Sequence, residues 1–167
     1  MFSATQSITP LKDFNNDLVI RKTERPQNIE AMPACWSQNL IADLTHEKLD
    51  ELTQNIYLRK GFTLIRKTSH ENVSTLTFHA EKNPNYSLMI STGCQTESIS
   101  IATVKHHCDQ TAQASESAFI TQSNFSSGAL DYCARKPVTL ISNRELLSLI
   151  VKLDSSSQSE LLALATS

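Results

Sequence analysis

Glycine and proline are scarce, at 3 and 5 in 167 residues. Folds built from many short strands need special backbone positions at most turns, so this scarcity argues against an all-β chain. A basic excess is missing too: the net charge is −2 and the pI about 6.2. Nonspecific nucleic-acid binders gain affinity by neutralising phosphates, so any DNA contact here must come from a local patch. No pair among Cys35, Cys94, Cys108 and Cys133 has the C-x-x-C spacing of a zinc or redox site. The opening residues lack the basic start and apolar core of a secretory leader. No apolar run approaches the roughly 20 residues that span a bilayer. These absences lead us to expect a reduced, cytoplasmic protein with no membrane partner.

What is present suits one globular domain. Hydrophobic residues make up 40% and charged residues 19%, which excludes wholesale disorder. A chain of this length buries about 70% of its unfolded surface as one domain and is short for two. We expect an N-terminal arm over residues 1–38, punctuated by Pro10, Pro26 and Pro33, with a strand candidate at Asp17 to Arg21 and Trp36 as its anchor. The domain follows over 39–153, and a serine-rich tail with an optional short helix over 154–167.

Within the domain, Thr45 caps a predicted helix whose Leu49, Leu52 and Ile56 form one apolar stripe; Gly61 stops it. Phe62 to Arg66, Val73 to Ala80 and Tyr86 to Ser91 alternate as strands. In the third, Tyr86, Leu88 and Ile90 share a face. Asn83-Pro84-Asn85 lies in the turn of a hairpin joining the last two. A helix from about Ser100 supplies the crossover that a parallel strand at Ala118 requires.

The chain is best punctuated over AFITQSNFSSGALDYCARKPVTLISNRELLSLI, from Ala118 to Ile150. A short apolar strand leads to a helix with Leu130, Cys133 and Ala134 on one face. Pro137 ends that helix, Val138 to Ile141 forms a buried strand, and Ser142-x-x-Glu145 is a capping box opening another helix. The predicted fold is α/β, with a mixed sheet flanked by helices.

These residues carry a family resemblance. Thr121, Ser123, Phe125, Ala129, Ala134, Pro137, Leu140, Ile141 and Glu145-Leu146-Leu147 follow the pattern of Mrr-type restriction endonuclease domains. The helix and Gly-aromatic step in Leu44 to Phe62 also have counterparts there. The resemblance covers about Leu40 to Leu153 and implies the PD-(D/E)XK nuclease fold, in which Mg²⁺ held by acidic residues cuts DNA. Such an ion prefers hard oxygens, and a lysine beside it assists the attacking water or the phosphate.

The chain departs from that pattern at the site. The resemblance implies an acid on the second strand and acid-x-Lys on the third. VSTLTFHA offers Ser74 or Thr75 instead, and the third strand offers Ser91-Thr92-Gly93 or Ile90-Ser91-Thr92. We take Ser74, Ser91 and Gly93 as the degenerate positions. Only Asp50, on the first helix, stands near an acidic position of the family. The leading expectation is a catalytically degenerate domain that binds DNA or a protein, without catalytic residue, metal or cofactor. A divergent Mg²⁺-dependent endonuclease using Asp50, Glu71, Glu97 and Lys105 is the alternative, and a protein-interaction subunit with no nucleic-acid role is a third.

The DNA contacts on the leading reading would come from Arg59, Lys60, Arg66, Lys67 and Lys105, with Thr121 and Ser123 of the family-like stretch. Basic pairs at element ends are by default solvated, so convergence on one cleft edge is what would distinguish a site. His106-His107-Cys108-Asp109 invites a metal reading, but neighbouring helical side chains diverge by about 100°. We expect Cys108 in the core and both histidines on the surface. No G-x-S-x-G elbow supports a serine hydrolase.

Overall fold

The computed structural model describes residues Cys35–Ser167. The strand candidate at Asp17 to Arg21, with most of the predicted arm, lies outside them. Among the described residues the order is α1 (Gln38–Ala42), α2 (His46–Arg59), β1 (Phe62–His70), β2 (Val73–Ala80), β3 (Asn83–Gly93), α3 (Ile101–Gln110), β4 (Glu116–Thr121), α4 (Ser127–Cys133), β5 (Val138–Ile141), α5 (Asn143–Val151) and α6 (Ser155–Thr166).

The sheet runs β1-β2-β3-β4-β5. The first three strands are antiparallel neighbours; β4 and β5 join in parallel after helical crossovers. Both faces are covered. On one, Leu49, Leu52 and Ile56 of α2 pack with Leu76, Phe78, Leu88, Ile90 and Ile120 of the strands and with Leu146, Ile150 and Leu161. On the other, Val104, Phe125, Ala129 and Cys133 pack with Ile99 and Phe119. Each fully buried aliphatic chain contributes roughly 2 kcal/mol by leaving water, so the predicted α2 stripe is a main anchor of the first layer.

Local signals explain the ends. The Thr45 hydroxyl accepts from Lys48 N at 3.2 Å, and Gly61 takes φ +91°, which non-glycine residues rarely adopt. Ser142 N donates to Glu145 Oε1 at 2.9 Å, half of the reciprocal arrangement that opens α5. The β2–β3 reversal is tighter than predicted: Ala80 pairs with Asn83, leaving Glu81 and Lys82 at the turn and Asn83 to Asn85 inside β3.

Three expectations are corrected. The segment 154–167, expected as a serine-rich tail with an optional short helix, is helical from Ser155 to Thr166: Asp154 caps α6, Leu161 is buried against α2, and Trp36 Nε1 donates to Gln158 O at 3.0 Å. In α4 the buried face is Ala129 and Cys133, while Leu130 is 52% exposed and Ala134 is exposed. Phe125, just before the Ser126 cap of this helix, is itself buried in the core. In α3 Val104 and His107 are buried, whereas Cys108 is only half-buried and His106 is on the surface.

Candidate functional site

Strand alternation sends successive residues of β2 and β3 to opposite faces. Ser74 pairs with Thr92, and on the next rung Thr75 pairs with Ser91. The first pair faces α2 and the second faces α3.

On the α2 face the centre is Asp50, 4% exposed. Ser74 Oγ donates to Asp50 Oδ2 at 2.9 Å, and Thr92 Oγ1 donates to Oδ1. Lys67 Nζ, from β1, lies 3.1 Å from Oδ2. His46 stands one helical turn before Asp50. Its Nε2 is 3.2 Å from Thr92 O, 3.2 Å from Ser74 Oγ and 3.7 Å from Asp50 Oδ1. A carboxylate offers about four lone-pair positions, and here two hydroxyls and an ammonium already engage it. Cys94 lies close by, its Sγ donating to Leu44 O at 3.4 Å. Burial, then the Asp50 charge, pushes that thiol above its ordinary range, so it stays protonated and a poor ligand.

On the α3 face, Ser91 Oγ is 2.6 Å from His107 Nδ1 and 3.3 Å from Thr75 Oγ1. The imidazole meets the Phe119 ring edge-on, with centroids 5.3 Å apart, and its Nε2 has no partner among the described residues. Burial, then the neighbouring His106, lowers its pKa from 6.5 to about 4. The ring is therefore neutral at pH 7.

The three expected degenerate positions separate accordingly. Ser74 does reach Asp50. Ser91 and Gly93 do not, because both point to the α3 layer. A Cβ on Gly93 would meet Phe119 Cε1 at 3.0 Å and Ile99 Cδ1 at 3.1 Å, so a lysine has no room there. The β3 residues on Asp50's face are Ile90 and Thr92, which selects the Ile90-Ser91-Thr92 frame. His46 was missed; its spacing of four from Asp50 was the available signal. Thr92 was legible by extending the Leu88–Ile90 stripe two residues.

The alternative catalytic set does not assemble. Glu71 sits at the β1–β2 turn with its side chain 81% exposed beside His70. Glu97 is exposed on a loop, where its carbonyl accepts from Ser123 Oγ. Lys105 lies over the Tyr132 ring at 5.3 Å. None of the three has a contact with Asp50. Among the described residues, no three His, Cys, Asp or Glu side chains converge as a cation site. The Mg²⁺ that the resemblance implies calls for several carboxylate or other hard oxygens. The residues here do not fit it: one carboxylate is present, and an ammonium already stands against it.

The basic candidates disperse as well. Arg59 pairs with Glu160 of α6, Lys60 lies 5.5 Å over the Tyr57 ring, and Lys67 is held by Asp50. Arg66 is paired in register with Thr77, on the face opposite Lys67. Thr121 is buried and bonds Ser123 and Gln122. Ser123 lines a cleft of about 850 Å³ at the carboxyl ends of β4 and β5, with Gln95, Gln122, Asn143 and Glu145. No partner of Asp50 lines that cleft.

Residues 41–150 match the restriction endonuclease family model of the Mrr catalytic domain, about two thirds of the chain. The chain belongs to the Mrr restriction endonuclease family. Its fold is the one solved for the DNA modification-dependent restriction endonuclease AspBHI, at TM-score 0.53 and 12% identity over 90% of this chain and 44% of that one. MspJI restriction endonuclease in complex with a 27-mer oligonucleotide also matches, at 0.47 and 14% over 71% and 31%, as does EndoMS in apo form, at 0.43 and 8% over 60% and 46%. The chain thus spans less than half the length of each of these proteins. No curated protein sequence matches it. No helix among the described residues is long and apolar enough to cross a membrane.

Proposed function

We propose that this domain keeps the restriction-endonuclease scaffold without metal-dependent cleavage and serves as a DNA-binding module. The observation that carries this is the composition of the sheet beside Asp50. Where β2 and β3 would aim acids and a lysine at a metal, they present Ser74, Ile90 and Thr92, and both hydroxyls are bonded to the one carboxylate. Hydroxyls are neutral and do not gather a divalent ion as carboxylates do. DNA binding is supported by family membership and by Arg66 and Lys105, which have no ion pair among the described residues and are exposed to meet phosphates.

One observation favours a second reading, a divergent endonuclease with a relocated lysine: Lys67 and Asp50 set a lysine beside an acid. Supercoiled plasmid incubated with the protein and Mg²⁺ or Mn²⁺ separates the two. On the first reading it stays supercoiled, and a duplex probe is bound with affinity that falls steeply as salt rises. Nicking that disappears in Asp50→Asn would establish the second. An intact plasmid with no DNA retention even at low salt would leave a protein-interaction role.

A further inference from the structure

Lys67 reaches Asp50 because β1 breaks its own alternation. Leu64 pairs with Phe78, but Arg66 pairs with Thr77 and Lys67 with Leu76, so the register slips between Leu64 and Arg66. Ile65 is the extra residue and is 53% exposed, an uncommon place for isoleucine. Under unbroken alternation, the face holding Phe62 and Leu64 would next receive Arg66. The bulge instead turns Lys67 and Ser69 to that face, and Ser69 Oγ lies 3.2 Å from Ser74 Oγ. Bulges re-aim side chains in this way at the cost of one unpaired residue.

A carboxylate buried as deeply as Asp50 is strongly destabilising unless a positive charge or a full set of donors compensates it. We infer that Lys67, aimed by the bulge at Ile65, is a tethered cation that compensates Asp50 in place of a metal, making the fold of this domain independent of divalent ions. The Lys67 side chain is 41% exposed, yet its ammonium lies 3.1 Å from the buried Asp50 Oδ2. This deepens the non-cleaving reading of the same site and rests on it, but it is read out by unfolding rather than by DNA cleavage. Plasmid nicking would sink the earlier reading and leave the measurement below to judge this one.

The test is thermal unfolding of the full chain and its variants in EDTA, Mg²⁺ or Mn²⁺. Wild type should unfold at one temperature in all three. Lys67→Met should unfold roughly 5–10 °C lower in EDTA and recover part of that loss in Mn²⁺, because the uncompensated carboxylate can then draw a free ion. Asp50→Asn/Lys67→Met should unfold above Lys67→Met and ignore the metal, a pattern that loss of packing alone would not produce. If Lys67→Met fails to fold, recovery of folding in the double variant supports the inference, and failure of that recovery overturns it. It is also overturned by a metal-dependent shift in wild type, or by a Lys67→Met variant as stable as wild type.

Discussion

The two faces of the β2–β3 ladder carry similar side chains and use them differently. Ser74 and Thr92 on one face surround a carboxyl group, whereas Thr75 and Ser91 on the other lead to an imidazole ring. The difference lies in access to charge and water. Asp50 has Lys67 at 3.1 Å, whose side chain is partly exposed, and His46 one turn away. His107 is 1% exposed between α3 and the sheet, edge-on to Phe119 and with no carboxylate among the described residues in contact. On the proposed reading, the scaffold gives up metal chemistry and keeps one buried carboxylate because Lys67 stands against it as a cation.

The largest test of this contrast is Asp50→Ala. It strands Ser74 Oγ and Thr92 Oγ1 without an acceptor and frees Lys67, and should cost about 3–4 kcal/mol in urea unfolding. Titration should separate the other face. His107 is depressed from 6.5 to about 4, so the unfolded chain takes a proton that the folded one refuses. Its contribution is complete above pH 6.5 and is lost as pH falls towards 4, by about 3 kcal/mol. His107→Leu should flatten that part of the wild-type pH profile, whatever it does to stability at pH 7; an unchanged slope would place the titration elsewhere.

Gly93→Ala sharpens the steric side. Its methyl would press on Phe119 and Ile99, so a loss of about 2 kcal/mol is expected by overpacking. A neutral result would mean that the α3 layer yields easily and that a lysine could be rebuilt there. Smallest of all, Arg59→Ala removes the pair with Glu160, whose side chain is 64% exposed, and should change stability by less than about 1 kcal/mol.

Elements with a local cause were readable in the sequence. The α2 stripe, the Thr45 and Ser142 caps and the hairpin all follow from spacing and turn chemistry, and the family followed from Ala118 to Ile150. The site was only half legible. Ser74 and Asp50 are legible, whereas of the two third-strand frames only Ile90-Ser91-Thr92 lies on Asp50's face; the Leu88–Ile90 stripe points to Thr92, and Ser91 and Gly93 face α3. Lys67 was harder: a bulge reverses strand phase, and nothing in Thr-Leu-Ile-Arg-Lys-Thr marks where the extra residue falls. His107 and His106 are adjacent, so only the rotation of α3 against Phe119 decides which is buried. The helix α6 has weak periodicity, and its order comes from the groove it fills on α2.

Calorimetric titration of Mn²⁺ into the folded full chain tests the central claim most directly. The account predicts no saturable heat, because the single carboxylate is already compensated. A saturable one-to-one site that vanishes in Asp50→Asn would contradict it.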